Sequence, residues 1–173
     1  QFGGSDLVTG FVSSVPYIFG IVGLLIVPRS SDRMNDRYGH LAVLYVLGAI
    51  GLFLSAWLSV PLAQLAALCL VAFALFSCTA VFWTLPGRFF AGASAAAGIA
   101  LINSVGNLGG YIGPFVIGAL KEYTGNLGSG LYFLSAVMVF GLILTGVVYR
   151  VLERKHVLPT EQFAASARSA TRT

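Results

Sequence analysis

Four intervals free of Asp, Glu, Lys and Arg decide what this chain can become. They run for 22 residues between Asp6 and Arg29, 50 between Arg37 and Arg88, 32 between Arg88 and Lys121, and 27 between Glu122 and Arg150. A helix needs about 20 apolar residues to cross a bilayer. The intervals therefore hold one, two, one and one crossings, with Pro61 dividing the long one inside the turn Leu58-Ser-Val-Pro-Leu62. A soluble domain carries about 25% charged residues, whereas this chain carries 9% and is 57% hydrophobic. The intervals thus predict an all-α polytopic membrane protein with five transmembrane helices. An odd number of crossings and a start without Met or a secretory signal pattern predict a fragment.

The spans fall near Val8 to Val27, Leu41 to Leu58, Leu62 to Leu85, Ala91 to Leu120, and Leu131 to Tyr149. Between them lie a loop over 28–40, a link with Arg88, and a glycine-rich loop over 121–130. Residues 1–152 are expected to form the helical bundle and 153–173 a disordered tail rich in Ala, Ser and Thr. The cations set the orientation. Loop 28–40, the Arg88 link and the tail hold nine of ten, leaving only Lys121 on the other side. The positive-inside rule makes the nine-cation side cytoplasmic, with the C-terminus inside. The net charge of +4 does not point to nucleic acid, because the basic residues flank spans. Cys69 and Cys78 lie nine residues apart on one predicted helix, roughly 13 Å along its axis and too far to bridge.

Span four, from Ala91, is the one decorated for more than crossing. Asn103 and Asn107 sit at i and i+4 near its middle, so they share a helix face. Gly106, Gly110 and Gly113 lie on or beside that face, and Pro114 follows. A polar side chain at this depth is costly unless it meets protein or a water-filled cavity. The amides therefore line a solute pathway, or they hold helices together by hydrogen bonds. In span three, Phe76, Ala80, Trp83 and Gly87 are spaced as an i, i+4, i+7, i+11 stripe. Trp83 either belongs to that pathway or to an interfacial aromatic belt. Tyr17-Ile-Phe-Gly-Ile-Val-Gly-Leu-Leu25 in span one faintly echoes Tyr111-Ile-Gly-Pro-Phe-Val-Ile-Gly-Ala-Leu120 in span four, as in transporters built from repeated helix triplets.

Gly98-Ile-Ala-Leu-Ile-Asn-Ser-Val-Gly-Asn-Leu-Gly-Gly-Tyr-Ile-Gly-Pro114, preceded by Phe82-Trp-Thr-Leu-Pro86, resembles the major facilitator superfamily in its anion:cation symporter branch. The resemblance covers Leu7 to about Arg154. It implies that the five spans correspond to helices eight to twelve of a twelve-helix transporter, the carboxy-terminal half without helix seven. It also implies transport of a small organic anion, a carboxylate or sugar acid, in proton-coupled symport by alternating access. Substrate contacts would come from Asn103, Trp83 and Asn107, with Ser77 and Thr84 weaker candidates. Ser31-Asp-Arg-Met-Asn-Asp-Arg37 resembles the family's cytoplasmic gate motif, with Asp32, Arg33 and Arg37 matching. Pro28 stands where the family has Gly, and Asn35 and Asp36 where Gly and a cation are common. Asp32 would act by charge pairing in one gate state, against its reading as an ordinary solvated loop charge.

None of the five spans contains Asp, Glu, Lys, Arg or His. Proton coupling needs a titratable group and an anion favours a cation, so both are expected in the missing amino-terminal half of the same protein. An intramembrane enzyme would need a nucleophile with a base or a metal cluster, and His40 and His156 both lie outside the spans. No catalytic residue, metal site or cofactor is therefore expected. The partners expected are the organic anion, a coupling proton, the lipid bilayer and that missing half. The location expected is a cell membrane, the inner membrane of a bacterium. The rival reading is a non-transporting membrane interaction subunit, which would turn the Asn103 and Trp83 faces into packed helix contacts.

Overall fold

The computed structural model describes residues 6–89 and 93–154. They form six helices: α1 (Asp6–Met34), α2 (Arg37–Trp57), α3 (Pro61–Phe82), α4 (Pro86–Phe89), α5 (Ala93–Thr124) and α6 (Gly128–Arg154). All except the single-turn α4 are long and apolar enough to cross a membrane, matching the five predicted crossings. The helical assignment continues through Pro16 and Pro28 in α1 and through Pro114 in α5. The tail from Lys155 onward, expected to be disordered, lies outside the described residues, as does the link 90–92.

The loops are shorter than the sequence reading gave them. The loop placed at 28–40 reduces to Asn35 and Asp36, because α1 runs on through the charged Arg29-Ser-Ser-Asp-Arg-Met34 segment. Charge ends the membrane crossing but not the helix, since water satisfies polar side chains as well as lipid suits apolar ones. A left-handed residue makes the stop. Asn35 has φ +50°. The Asp36 N–H donates to the Ser31 carbonyl and the Asn35 N–H to the Asp32 carbonyl, both at 3.3 Å. This is a Schellman closure, in which Asn is a common alternative to Gly. Asp36 then starts α2, its carboxylate accepting from the Gly39 N–H at 2.8 Å. At the opposite end, Gly125 (φ +67°) closes α5 and the Asn126 side chain caps Gly128 at 2.8 Å.

The five crossings pack in the order α1–α3–α2–α6–α5, with only slight contact between α1 and α2. They thus form an open row, with α1 and α5 at its ends. Close backbone approach holds the seams, as expected where lipid removes the hydrophobic drive between helices. A Cβ on Gly23 would overlap the Ser77 hydroxyl and lie 2.8 Å from the Phe73 carbonyl. One on Gly51 would lie 2.8 Å from Val71 across the α2–α3 seam. The buried Ser135 hydroxyl on α6 donates to the Ala49 carbonyl on α2 at 2.9 Å. Leu41, Leu44 and Val81 form the buried core, with Val27, Phe82 and Leu85 against it. That cluster joins the end of α1, the start of α2 and the end of α3. The Tyr38 and Tyr149 rings meet at 5.5 Å, bringing the start of α2 to the end of α6. Successive crossings therefore run in alternating directions, gathering Arg29, Arg33, Arg37 and Arg150 at one end.

Candidate functional site

α5 touches its neighbours along one stripe. Ala95, Gly98, Ile102, Gly113, Val116, Ile117 and Leu120 are its half-buried residues, which fall on one side of a 3.6-residue helix, and Ile117 meets Gly130 of α6. Asn103 and Asn107 fall outside this stripe and are exposed. At 100° per residue they point about 100–140° away from it. No hydrogen bond ties either amide to another described residue. Gly106, Gly110 and Gly118 likewise have nothing within 4 Å of a Cβ position. The amides are therefore not spent holding these five helices together. They stand on an open face, at the middle of a 32-residue helix.

Trp83 sits elsewhere. It is the C-cap of α3, with φ −66° and ψ −9°, and its N–H donates to the Thr79 carbonyl at 3.1 Å. Its ring stands edge-on to Phe82 at 5.7 Å and is 41% exposed. The expected stripe thus stops at Trp83, because the helix does, and Gly87 belongs to α4. No substantial packing joins α3 to α5, so these helices do not bring Trp83 and Asn103 together. The two weaker candidates serve the backbone. Ser77 is buried in the α1–α3 seam and donates to the Phe73 carbonyl at 2.6 Å. Thr84 donates to the Val81 carbonyl at 2.7 Å.

The gate candidates cluster around the α1–α2 turn. The Arg37 guanidinium reaches Asp32 Oδ1 at 2.8 Å, with the Arg37 side chain 16% and the Asp32 side chain 58% exposed. Arg37 Nε is buried and has no hydrogen-bond partner among the described residues. The Ser31 hydroxyl donates to the Asp36 carbonyl at 3.2 Å, and His40 contacts that carbonyl and Ser30 Oγ. Arg33 is exposed. Asp32 and Arg37 are thus paired across the turn rather than separately solvated. The left-handed Asn35 (φ +50°) makes the turn that brings the two side chains together.

Two arrangements escaped the sequence reading. Tyr45 on α2 lies beside Cys78 on α3 and Thr145 on α6, a polar cluster with no periodic signature. Tyr17 on α1 and Phe76 on α3 meet edge to face, centroids 6.2 Å apart at 89°. The place of Tyr17 at the centre of the first charge-free interval signals its depth, but nothing in the sequence signals its pairing with Phe76. No group of three or more His, Cys, Asp or Glu residues gathers among the described residues.

Comparison with known proteins gives these features a context. The chain is 74% identical over 156 residues to the quinolone resistance transporter of Acinetobacter baumannii, covering 90% of this chain and 36% of that protein. It is 39% identical over 150 residues to a provisionally named tartrate transporter of Agrobacterium vitis, covering 87% of this chain and 33% of the relative. With the inner membrane transport protein RhmT of Escherichia coli (strain K12) it shares 32% over 133 residues, 77% of this chain and 31% of that one. The chain therefore spans about a third of the length of these relatives. No solved structure matches it. A family model described as Major Facilitator Superfamily matches residues 1–172, and with five crossings packed through glycine-rich seams the chain belongs to that superfamily.

Proposed function

We propose that the full-length protein carrying this chain is a secondary active transporter of small organic carboxylates, proton-coupled and working by alternating access. The observation that carries the reading is the open α5 face with Asn103 and Asn107 at mid-helix. Transporter sites form near the bilayer midplane. Exposed amides there are costly in hydrocarbon and useful in a wet pathway. Asn103 donates to the substrate carboxylate or a hydroxyl, Trp83 packs against the solute, and Asn107 is the second polar contact. Asp32, Arg33 and Arg37 work at the cytoplasmic gate, where the Asp32–Arg37 pair holds one state.

In this reading residues 1–152 are the partial carboxy-terminal bundle, helices eight to twelve, and 153–173 are its cytoplasmic tail. The acid that carries the proton and the cation that faces the substrate come from the remaining two thirds of the protein. The relatives' names support the substrate class. Quinolones and tartrate differ in size and aromaticity and share a carboxylate, the group that an amide donor recognises. The 74% identity to a quinolone resistance transporter favours an aromatic acid among the substrates.

The test is transport by the full-length protein in proteoliposomes, with labelled tartrate and a quinolone and an imposed proton gradient. Movement of either acid that collapses with a protonophore is the expected result. Movement of neither, under a gradient of either sign, overturns the reading.

A further inference from the structure

Tyr17 lies 11 residues after Asp6 and 12 before Arg29, so at 1.5 Å per residue its Cα sits about 17 Å from either charge, near the bilayer centre. It is 61% exposed, and its hydroxyl has no hydrogen bond to another described residue. A hydroxyl aimed into hydrocarbon at that depth costs free energy that nothing returns. That side of α1 therefore faces water or protein rather than lipid.

Phe76 shares that side. Its ring packs edge to face on Tyr17 and lies 3.0 Å from where a Gly20 Cβ would stand, so the missing side chain of Gly20 fixes the ring's position. Phe76 remains 37% exposed. Trp83 follows it by seven residues, two turns along the same face of α3 and about 10 Å nearer the cytoplasmic end. A mid-membrane aromatic corner thus leads to the tryptophan assigned to the substrate.

We propose that the Tyr17–Phe76 pair is the subsite for the ring of an aromatic carboxylic acid, and that it separates such acids from aliphatic ones. The inference rests on the transport reading above. Offset and edge-to-face ring contacts add recognition beyond plain apolar burial, and an aliphatic hydroxy acid has no ring to offer them.

The test uses the full-length protein in proteoliposomes, with a quinolone and tartrate as probes and Tyr17→Leu and Phe76→Leu as separate variants. The expected result is a quinolone KM raised about two- to tenfold, with the quinolone-to-tartrate KM ratio raised alongside it. Either variant suffices if the other fails to assemble, and the ratio is insensitive to the amount of folded protein. A quinolone KM unmoved in both variants overturns the proposal, and so does a tartrate KM that rises in step. Wild-type transport of tartrate without any quinolone overturns the subsite while sparing the transport reading. Transport of quinolone alone leaves its KM to decide. Transport of neither acid by the wild type removes the underlying reading, and this inference with it, before any variant is made.

Discussion

Asn103 is exposed on the side of α5 turned away from α6, and that placement separates two explanations of the same residue. An amide acting as helix glue contributes about 0.6 kcal/mol, up to about 2, and its loss appears as lowered stability. An amide donating to a carboxylate contributes about 1.5–3 kcal/mol to binding, and its loss raises the dissociation constant about tenfold or more. In the full-length protein Asn103→Leu is therefore expected to weaken substrate binding at least several-fold with little change in Tm, and Asn107→Leu to do so less. Calorimetry and substrate titration on the same samples decide, and a large fall in Tm with unchanged affinity would reassign Asn103 to packing. Asn35 makes a different argument at the same scale. Its φ of +50° is open to Gly and strained for a β-branched side chain, by about 1–2 kcal/mol. Asn35→Gly should hold the α1–α2 turn and Asn35→Val should lower Tm, and equal melting of the two would show that the left-handed turn does not limit stability.

Among the elements, α1 and α5 form a natural comparison, since both are glycine-rich and both end the row. Two of the three glycines of α1 are used: Gly20 takes the Phe76 ring and Gly23 the Ser77–Phe73 ridge, while Gly10 meets nothing within 4 Å. On α5, Gly106 and Gly110 meet nothing within 4 Å. Gly23→Leu is therefore expected to push α1 off α3 and destabilise by about 1–3 kcal/mol, the usual cost of overpacking. Gly106→Leu in the isolated chain should leave melting near wild type. Thermal unfolding in detergent reads both, and an equal loss at the two positions would refute the seam assignment. The same contrast explains what was legible in advance. Charge-free length alone placed all five crossings, because a bilayer demands about 20 apolar residues whatever the tertiary packing. The face of Asn103 followed from 3.6-residue periodicity. The stripe through Trp83 failed at Gly87 because a helix stop depends on local backbone geometry that an apolar run does not encode. Ser77, a weaker candidate by resemblance, lies in the α1–α3 seam, and the sequence does not tell a seam hydroxyl from a pathway one. The Tyr17–Phe76 and Tyr45–Cys78–Thr145 contacts join residues from different helices, and no spacing rule within one helix reveals them.

At the scale of the whole molecule, the alternating crossings convert connectivity into sidedness. The α1–α2 turn, the region around α4 and the end of α6 lie at one end of the helices, while the turns 58–60 and 125–127 lie at the other. Among the described residues the first end gathers Arg29, Arg33, Arg37, Arg88, Arg150 and Arg154, and the second has Lys121 alone. A cation excess this lopsided, borne on segments of a few residues to about twenty, is the regime in which Lys and Arg control orientation. The first end is therefore expected to be cytoplasmic. Single cysteines at Arg33, Lys121 and Ser129 test this in the full-length protein, with Cys69 and Cys78 replaced by alanine. An impermeant thiol reagent added to intact cells should label positions 121 and 129, and position 33 only after the membrane is opened. Position 33 is a demanding probe, because it stands on the last turn of α1 beside the Asp32–Arg37 pair, where a crossing of the opposite sense would place it outside. Labelling at residue 33 in intact cells would invert the orientation and move Asp32, Arg33 and Arg37 to an external gate.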